Sequence, residues 1–97
     1  MFYTHGTWLV KAGREQDFVR AWEELAGWTA LETAASGATL LRDRAEPRLF
    51  ISFGPWPSLE EIERWRAAPG FAERVGRIQE LLESFEPSTL EVVLRVS

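Results

Sequence analysis

One stretch in the middle of the chain, residues 49–66, constrains the fold more than any other part of the sequence. It begins with the apolar run LFISF, which predicts a buried strand that stops at Gly54-Pro55. Trp56 follows, and Ser58 with Glu61 three residues later has the capping-box spacing of a helix start. A strand end, a tryptophan and a helix start are therefore placed together, and such a junction often forms the wall of a small-molecule pocket.

The overall composition excludes several classes of function. The 97 residues suffice for one domain, over residues 1–97, and the absence of cysteine excludes disulfides and thiolate metal sites. The net charge is −4 and the arginines alternate with acidic residues, so we expect no nucleic-acid partner. No signal peptide or apolar run of membrane-spanning length is present, so we expect no membrane partner and a cytoplasmic location.

The apolar periodicity predicts four strands, over residues 2–11, 38–43, 49–53 and 88–96. It predicts a first helix from Arg14, with Gly27 as its C-terminal cap, while residues 28–36 fit either a helical turn or a structured loop. The helix from Ser58 should bury its apolar residues Leu59, Ile62 and Trp65 and break at Pro69-Gly70. A further helix should then run from Phe71 to Phe85 and end at Glu86-Pro87.

This order of elements predicts an α+β fold, the ferredoxin-like split βαβ arrangement, with a four-stranded antiparallel sheet and the helices on one face. The other face would carry large apolar side chains, and a two-fold homodimer that packs sheet on sheet would cover them. The alternative is a monomer whose open face is mixed, which Thr89, Glu91 and Arg95 on the last strand favour.

A few residues are candidates for a functional site. His5 is the only histidine, and histidine is the side chain that most often acts as a general base; the alternative is a hydrogen-bonded structural group. One histidine without partners at ligand spacing predicts no metal site. Four aromatic residues could stack on a flat ligand or simply fill the core, namely Trp28, Trp56, Trp65 and Phe71. Ser52 is a candidate polar contact beside them.

Several of these segments together resemble a known family. The residues that carry the resemblance are Trp8–Glu15 at the opening of the first helix, Phe18 and Trp22 within it, Leu40–Asp43, and Phe53–Trp56 with Ser58–Glu60 and Trp65. On these residues the chain is similar to the antibiotic biosynthesis monooxygenase (ABM) family, within the dimeric α+β barrel superfamily. The resemblance implies a homodimer with a pocket between sheet and helices in each subunit.

The family includes oxygenases that need no metal or flavin, because an electron-rich phenolic substrate itself donates electrons to oxygen. Its quinone-forming members are similar at Trp56, but they have asparagine, tyrosine and arginine where this chain has Ser52, Ile62 and Val75. Its heme-degrading members are similar at Trp65, but their heme-ligating histidine also falls near Val75, and their first-strand asparagine falls near His5. Valine cannot ligate iron, so heme degradation is not expected.

The resemblance therefore implies a cofactor-independent monooxygenase that acts on a phenol, a hydroquinone or a polyketide-like ring, with no cofactor. In this hypothesis His5 takes the phenolic proton and Ser52 orients a substrate oxygen, while Trp28, Trp56, Trp65 and Phe71 hold the ring. The alternative hypothesis is a non-catalytic dimeric module of the same fold that binds a hydrophobic ligand or only assembles.

Overall fold

Four antiparallel strands and three helices make up the part of the chain that the computed structural model describes, residues 1–35 and 37–97. The elements in chain order are β1 (Phe2–Val10), α1 (Glu15–Glu32), β2 (Thr39–Arg42), β3 (Leu49–Trp56), α2 (Leu59–Ala67), α3 (Pro69–Gln79) and β4 (Leu82–Glu91). The strand order in the sheet is β2-β3-β1-β4. This is the ferredoxin-like α+β fold that the sequence predicts. None of the described helices is long and apolar enough to cross a membrane.

Strand alternation separates the sheet into a face that packs on the helices and an outer face. In β1 the even-numbered residues from Gly6 onward are buried, and the odd-numbered ones are only half-buried. The helix-facing side carries the core, where Trp8 stacks on Phe85 with ring centroids 4.0 Å apart and Phe18 packs on Phe50 at 4.8 Å. This side of the sheet therefore provides both the core and the floor of any pocket beneath the helices.

Helix α1 is longer than the sequence predicts, and the assignment of Gly27 as its cap is wrong. The helix continues through Gly27 to Glu32, where the backbone N–H of Thr33 still donates to the carbonyl of Thr29. The uncertain segment after Gly27 is thus helical to Glu32, while Ser36 lies outside the described residues. A glycine inside a helix costs about 1 kcal/mol, and packing of the helix on the sheet outweighs that cost.

Strand β3 does not stop at Gly54-Pro55, as the sequence suggests, but runs on to Trp56. Successive residues of β3 direct their backbone hydrogen-bonding groups to β2 and to β1 in turn. Because Asp43 N–H donates to Leu49 O, the odd-numbered residues of β3 are the ones whose backbone groups point to β2. Strand β2 begins only at Thr39, whose partner is Phe53. Pro55 therefore lies where no β2 residue is present to accept a bond from it, and the strand tolerates the proline for that reason.

The last strand begins earlier than predicted. The sequence predicts helix through Phe85 and strand over residues 88–96, but α3 ends at Gln79 and β4 covers Leu82–Glu91. The pairing of β4 with β1 shifts between Leu9 and Val10, which indicates a bulge. The bulge sets Leu82 opposite Val10 and Phe85 opposite Trp8, so both face the helices although they are three residues apart. Two residues three apart on one face are typical of a helix, which explains why the sequence predicts helix through Phe85.

The start of α2 confirms one half of the predicted capping box: the Ser58 side chain accepts a hydrogen bond from the Glu61 backbone N–H at 3.2 Å. The Glu61 carboxylate accepts from Arg64 at 2.6 Å rather than from the Ser58 backbone. Ile62 is fully buried, but Leu59 is 46 % exposed, so its predicted burial is wrong. The first turn of this nine-residue helix projects away from the core, and Ile62 provides the buried contact. Ala68 is extended and Pro69 occupies the first turn of α3, which confirms the break.

The outer face of the sheet carries large apolar side chains, as predicted, and three polar residues of β4 share it, namely Ser84, Glu86 and Ser88. Tyr3 lies 6.5 Å from Phe53 between ring centroids, and Ile51 is on the same face. Leu41 and Leu90 on the flanking strands are 48 % and 47 % exposed. In the described chain, no helix covers these side chains.

Candidate functional site

A cavity of about 550 Å³ lies between the helix-facing side of the sheet and the helices. Thr4, Ser52 and Trp56 line it from the strands, and Trp22 and Phe71 line it from the helices. Its size is that of ordinary small-molecule pockets, which run from about 300 to 1,000 Å³. Most of its lining is apolar, so a ligand would be held mainly by burial.

An aromatic cluster forms one wall of the cavity. The Trp56 and Trp65 ring centroids are 4.9 Å apart at 44°, and Trp65 meets Phe71 edge to face at 4.6 Å and 67°. Strand β3 supplies the first ring, α2 the second and α3 the third. The junction that the sequence marks at residues 49–66 therefore brings Trp56 and Trp65 to one pocket wall, and Phe71 joins them from α3.

Hydroxyl groups on the cavity wall accept hydrogen bonds from tryptophan indoles. Trp8 Nε1 donates to Ser52 Oγ at 2.8 Å, and Trp56 Nε1 donates to Thr4 Oγ1 at 3.0 Å. Trp65 Nε1 donates likewise to Thr29 Oγ1 at 2.8 Å. An indole N–H can only donate, so in each pair the hydroxyl oxygen is held as the acceptor.

The Trp8–Ser52 pair depends on the glycine beside it. A side chain at Gly6 would place its Cβ 2.7 Å from Trp8 Nε1 and 3.0 Å from Ser52 Oγ. Gly6 pairs with Ser52 in the β1–β3 register, and both residues line the cavity. The glycine thus leaves room for the indole to reach across the strand to the serine.

The structure brings together four of the six residues that the sequence predicts for the site, namely Ser52, Trp56, Trp65 and Phe71. Trp28 points elsewhere: its ring packs against Gly70 and under the Arg74 guanidinium, which lies 4.9 Å from the ring centroid. It lines a smaller hollow of about 160 Å³ outside the main cavity.

His5 borders the cavity, but strand alternation directs its side chain to the outer face of the sheet. It pairs with Phe53 and Ser88, and it shares its face with Tyr3. The structure therefore separates the imidazole from the hydroxyl and indole groups inside the cavity.

The sequence prediction misses several cavity residues, among them Thr4, Trp22 and Thr29. Trp22, Leu25, Ala26 and Thr29 recur at helical spacing, so extending the first helix through Gly27 would have placed Trp22 and Thr29 on the cavity side and Trp28 off it. Thr4 carries no signal in the sequence, because its role depends on its hydrogen bond with Trp56 from the neighbouring strand.

Few ionisable residues border the cavity. Among the described residues they are His5 and Arg66, and the Arg66 guanidinium donates to Thr89 Oγ1 at 3.1 Å. The described residues also contain no cluster of three or more histidine, aspartate or glutamate side chains that could hold a metal ion. The cavity can thus hold a flat apolar ring and offer hydroxyl groups to its oxygen atoms.

Comparison with known proteins identifies the family. The sequence profile of the antibiotic biosynthesis monooxygenase family matches residues 1–77, whereas a search of curated protein sequences finds no match. Among solved structures, a mutant of SnoaB, a cofactor-independent oxygenase from Streptomyces nogalater, has a TM-score of 0.91 at 19 % identity over 98 % of this chain and 95 % of that chain.

A candidate antibiotic biosynthesis monooxygenase from Deinococcus radiodurans has a TM-score of 0.88 at 18 % identity, over 100 % of this chain and 97 % of that chain. At such identities these structures show a shared fold and nothing about substrate. The family profile covers residues 1–77 of the 97, and the chain therefore belongs to the antibiotic biosynthesis monooxygenase family.

Proposed function

We propose that the chain is a monooxygenase that oxidises a flat phenol, hydroquinone or polyketide-like ring in the cavity without a bound cofactor. The observation that carries the proposal is the apolar cavity of about 550 Å³, walled by Trp56, Trp65 and Phe71, in a member of the ABM family. Its aromatic wall suits a planar ring, since aromatic faces stack well on one another.

The chemistry needs only the substrate and molecular oxygen. The electron-rich anion of the substrate gives electrons to O₂; one oxygen atom forms a new carbonyl on the ring, and the other leaves as water. For anthrone the product is anthraquinone plus water, and the balance is complete. The protein positions the ring against Trp56 and Trp65, orients its oxygen with the Ser52 hydroxyl, and excludes bulk water.

The role of His5 as a general base stays a prediction, and the register of the sheet opposes it. The imidazole is on the outer face, so it would have to reach the substrate across the sheet. His5→Ala measures this directly. We expect turnover to persist in this variant, whereas loss of turnover with unchanged folding would restore His5 as the base.

The proposed activity can be tested with anthrone and a panel of hydroquinones in air. We expect oxygen uptake and quinone absorbance to rise together. Phe71→Ala should raise KM several-fold, since it opens the aromatic wall that holds the ring. Leu31→Ala is the matched control, because Leu31 is 87 % exposed on α1 and lines no part of the cavity. Turnover absent across the whole panel would refute the proposed activity.

A second candidate function is a non-catalytic module that binds a hydrophobic ligand in the same cavity. The observation that favours it is the scarcity of acid–base groups among the described residues that line the cavity. Ligands would then quench tryptophan fluorescence, with Trp56 and Trp65 as reporters, while no oxygen is consumed. Fluorescence and oxygen uptake measured on the same samples separate the two functions.

We also propose that two copies pair through the outer face of the sheet. Leu41 and Leu90 are about half exposed on that face, beside Tyr3, Ile51 and Phe53, and such contiguous apolar surface is typical of an interface. Sedimentation should give twice the 11.1 kDa chain mass. Leu41→Glu should lower the sedimenting mass towards that of the single chain. Leu31→Glu makes the same leucine-to-glutamate change on the helical side and should leave the mass unchanged. A wild-type particle of 11.1 kDa at micromolar concentration would refute the pairing.

A further inference from the structure

The three indole–hydroxyl pairs among the described residues are not equivalent. Thr29 uses its hydroxyl proton within the helix, since Thr29 Oγ1 donates to the carbonyl of Leu25 at 2.8 Å. In the described chain, the hydroxyl protons of Ser52 and Thr4 have no acceptor, although both oxygens accept from an indole. Two of the three hydroxyls therefore retain an unused donor at the cavity wall.

The two unused donors lie close together on the floor of the cavity. Ser52 pairs with Gly6, and Thr4 is two residues before Gly6 on the same face of β1. The two positions are thus diagonal neighbours across the strand pair, which puts them roughly 7–8 Å apart. One aromatic ligand spans that distance, so both hydroxyls can face the same molecule. Ser52 is 8 % exposed, which places its donor in a poorly hydrated site.

We infer that the Thr4 and Ser52 hydroxyls donate hydrogen bonds to the ligand and select an anionic, deprotonated oxygen. The inference rests on the proposed function and adds to it the form of the substrate that the cavity stabilises, which is a phenolate or an enolate. The phenolic O–H bond breaks and its proton passes to water outside the cavity. The negative charge is delocalised through the ring, and each hydroxyl donates to a different oxygen atom of the ligand that carries part of it. No base within the cavity is needed for this step.

Physical chemistry favours this assignment for the two hydroxyls. A donor already aimed at the site where negative charge develops stabilises that charge without reorganisation, and the effect is strong where water is excluded. Hydrogen bonds to a charged acceptor are about twice as strong as bonds between neutral groups. Trp8 and Trp56 act as positioning residues, because each indole N–H occupies one lone pair of its hydroxyl oxygen and leaves the hydroxyl proton free to point at the ligand.

The inference can be tested with 4-nitrophenol, whose ionised form absorbs visible light. Titration of the wild-type protein at several pH values gives the ratio of bound phenolate to bound phenol. We expect this ratio to exceed that of free 4-nitrophenol at the same pH. Ser52→Ala and Thr4→Val should each lower the ratio about tenfold, which is the size of one charge-assisted hydrogen bond. Thr4→Ser keeps the hydroxyl and should keep the ratio.

Thr7→Val is the matched control, because it removes a β1 hydroxyl on the outer face of the sheet, opposite Ile51 and outside the cavity lining. It should leave the ratio unchanged, and thermal unfolding of every variant shows whether the fold is intact.

Trp56→Phe, which keeps a ring but removes the N–H, should lower the ratio less than Thr4→Val does. A purely structural role for Trp56 would change stability without moving the ratio.

The outcomes separate this inference from the proposed function. A raised ratio that depends on Thr4 and Ser52 supports the inference even where anthrone is not turned over, and only the enzymatic proposal then fails. A ratio that Ser52→Ala and Thr4→Val leave unchanged, or that Thr7→Val lowers equally, overturns the inference even where turnover persists. A wild-type protein that does not bind 4-nitrophenol overturns it as well.

Discussion

Gly6→Ala tests how tightly the floor of the cavity is packed. The added Cβ would lie 2.7 Å from Trp8 Nε1 and 3.0 Å from Ser52 Oγ, closer than real Cβ contacts allow. Trp8 can move away only by disturbing its own packing, because its ring is stacked on Phe85 at 4.0 Å and packed on Phe18 at 5.5 Å. The strain must therefore be relieved by displacing Trp8 or Ser52, which breaks the hydrogen bond between them.

The size of the effect follows from three contributions. Overpacking a core costs about 1–3 kcal/mol, and losing the Trp8–Ser52 hydrogen bond costs about 1 kcal/mol. The lower entropy of alanine in the unfolded chain offsets about 0.4–1 kcal/mol. A net loss near 2 kcal/mol lowers Tm by about 8–16 °C for a domain of this size.

Circular dichroism during heating, at one fixed protein concentration, measures this change. Gly76→Ala is the control, because a Cβ there meets nothing within 4 Å in helix α3. It should leave Tm unchanged or raise it slightly. A Gly6→Ala variant that melts with the wild type would show that the Trp8 ring yields at little cost, and the reasoning from Gly6 to a fixed Ser52 hydroxyl would then be wrong.

Other substitutions test the local structure. Gly27→Ala should stabilise the protein by about 0.5–1 kcal/mol in urea unfolding, since the position is exposed inside a helix; a loss would indicate the left-handed backbone of a cap. Ser58→Ala should cost about 1 kcal/mol in the same assay through loss of the bond from Glu61 N–H, and an unchanged midpoint would contradict the cap. Glu83→Gln should change stability by less than about 1 kcal/mol, because its 3.1 Å pair with Arg48 is largely exposed; a larger, salt-insensitive loss would contradict this.

The sequence was sufficient to predict the architecture because its strongest signals are local. Alternation in residues 2–10 and the capping box at Ser58 each specify an element without reference to the rest of the chain. The errors occur where distant packing decides. Gly27 remains helical because the face that includes Trp22 and Thr29 continues past it, and the bulge in β4 makes Leu82 and Phe85 resemble a helical pair.

The same distinction explains which parts of the site were predictable. Trp56 and Trp65 flank a helix start, so sequence proximity alone indicates that they meet. Thr4 is 52 positions from the indole that bonds it, and only the register of β1 on β3 reveals the pair. The position of His5 relative to the cavity was not predictable for a similar reason. Strand alternation groups His5 with Tyr3 on one face of the sheet, but it does not tell which face the helices cover.

The prolines of the sheet also affect how copies of the chain can associate. Pro55 lies on the part of β3 that extends past β2. Pro87 lies on the edge strand β4, opposite Gly6 in a pair that exchanges no backbone hydrogen bonds, so its nitrogen points away from β1. Neither can donate to an incoming polypeptide, so Pro87 makes the β4 edge, and Pro55 the unpaired end of β3, poorer templates for further strands. This protection suits a chain with an apolar outer face, because growth strand by strand would compete with the face-to-face pairing that we propose.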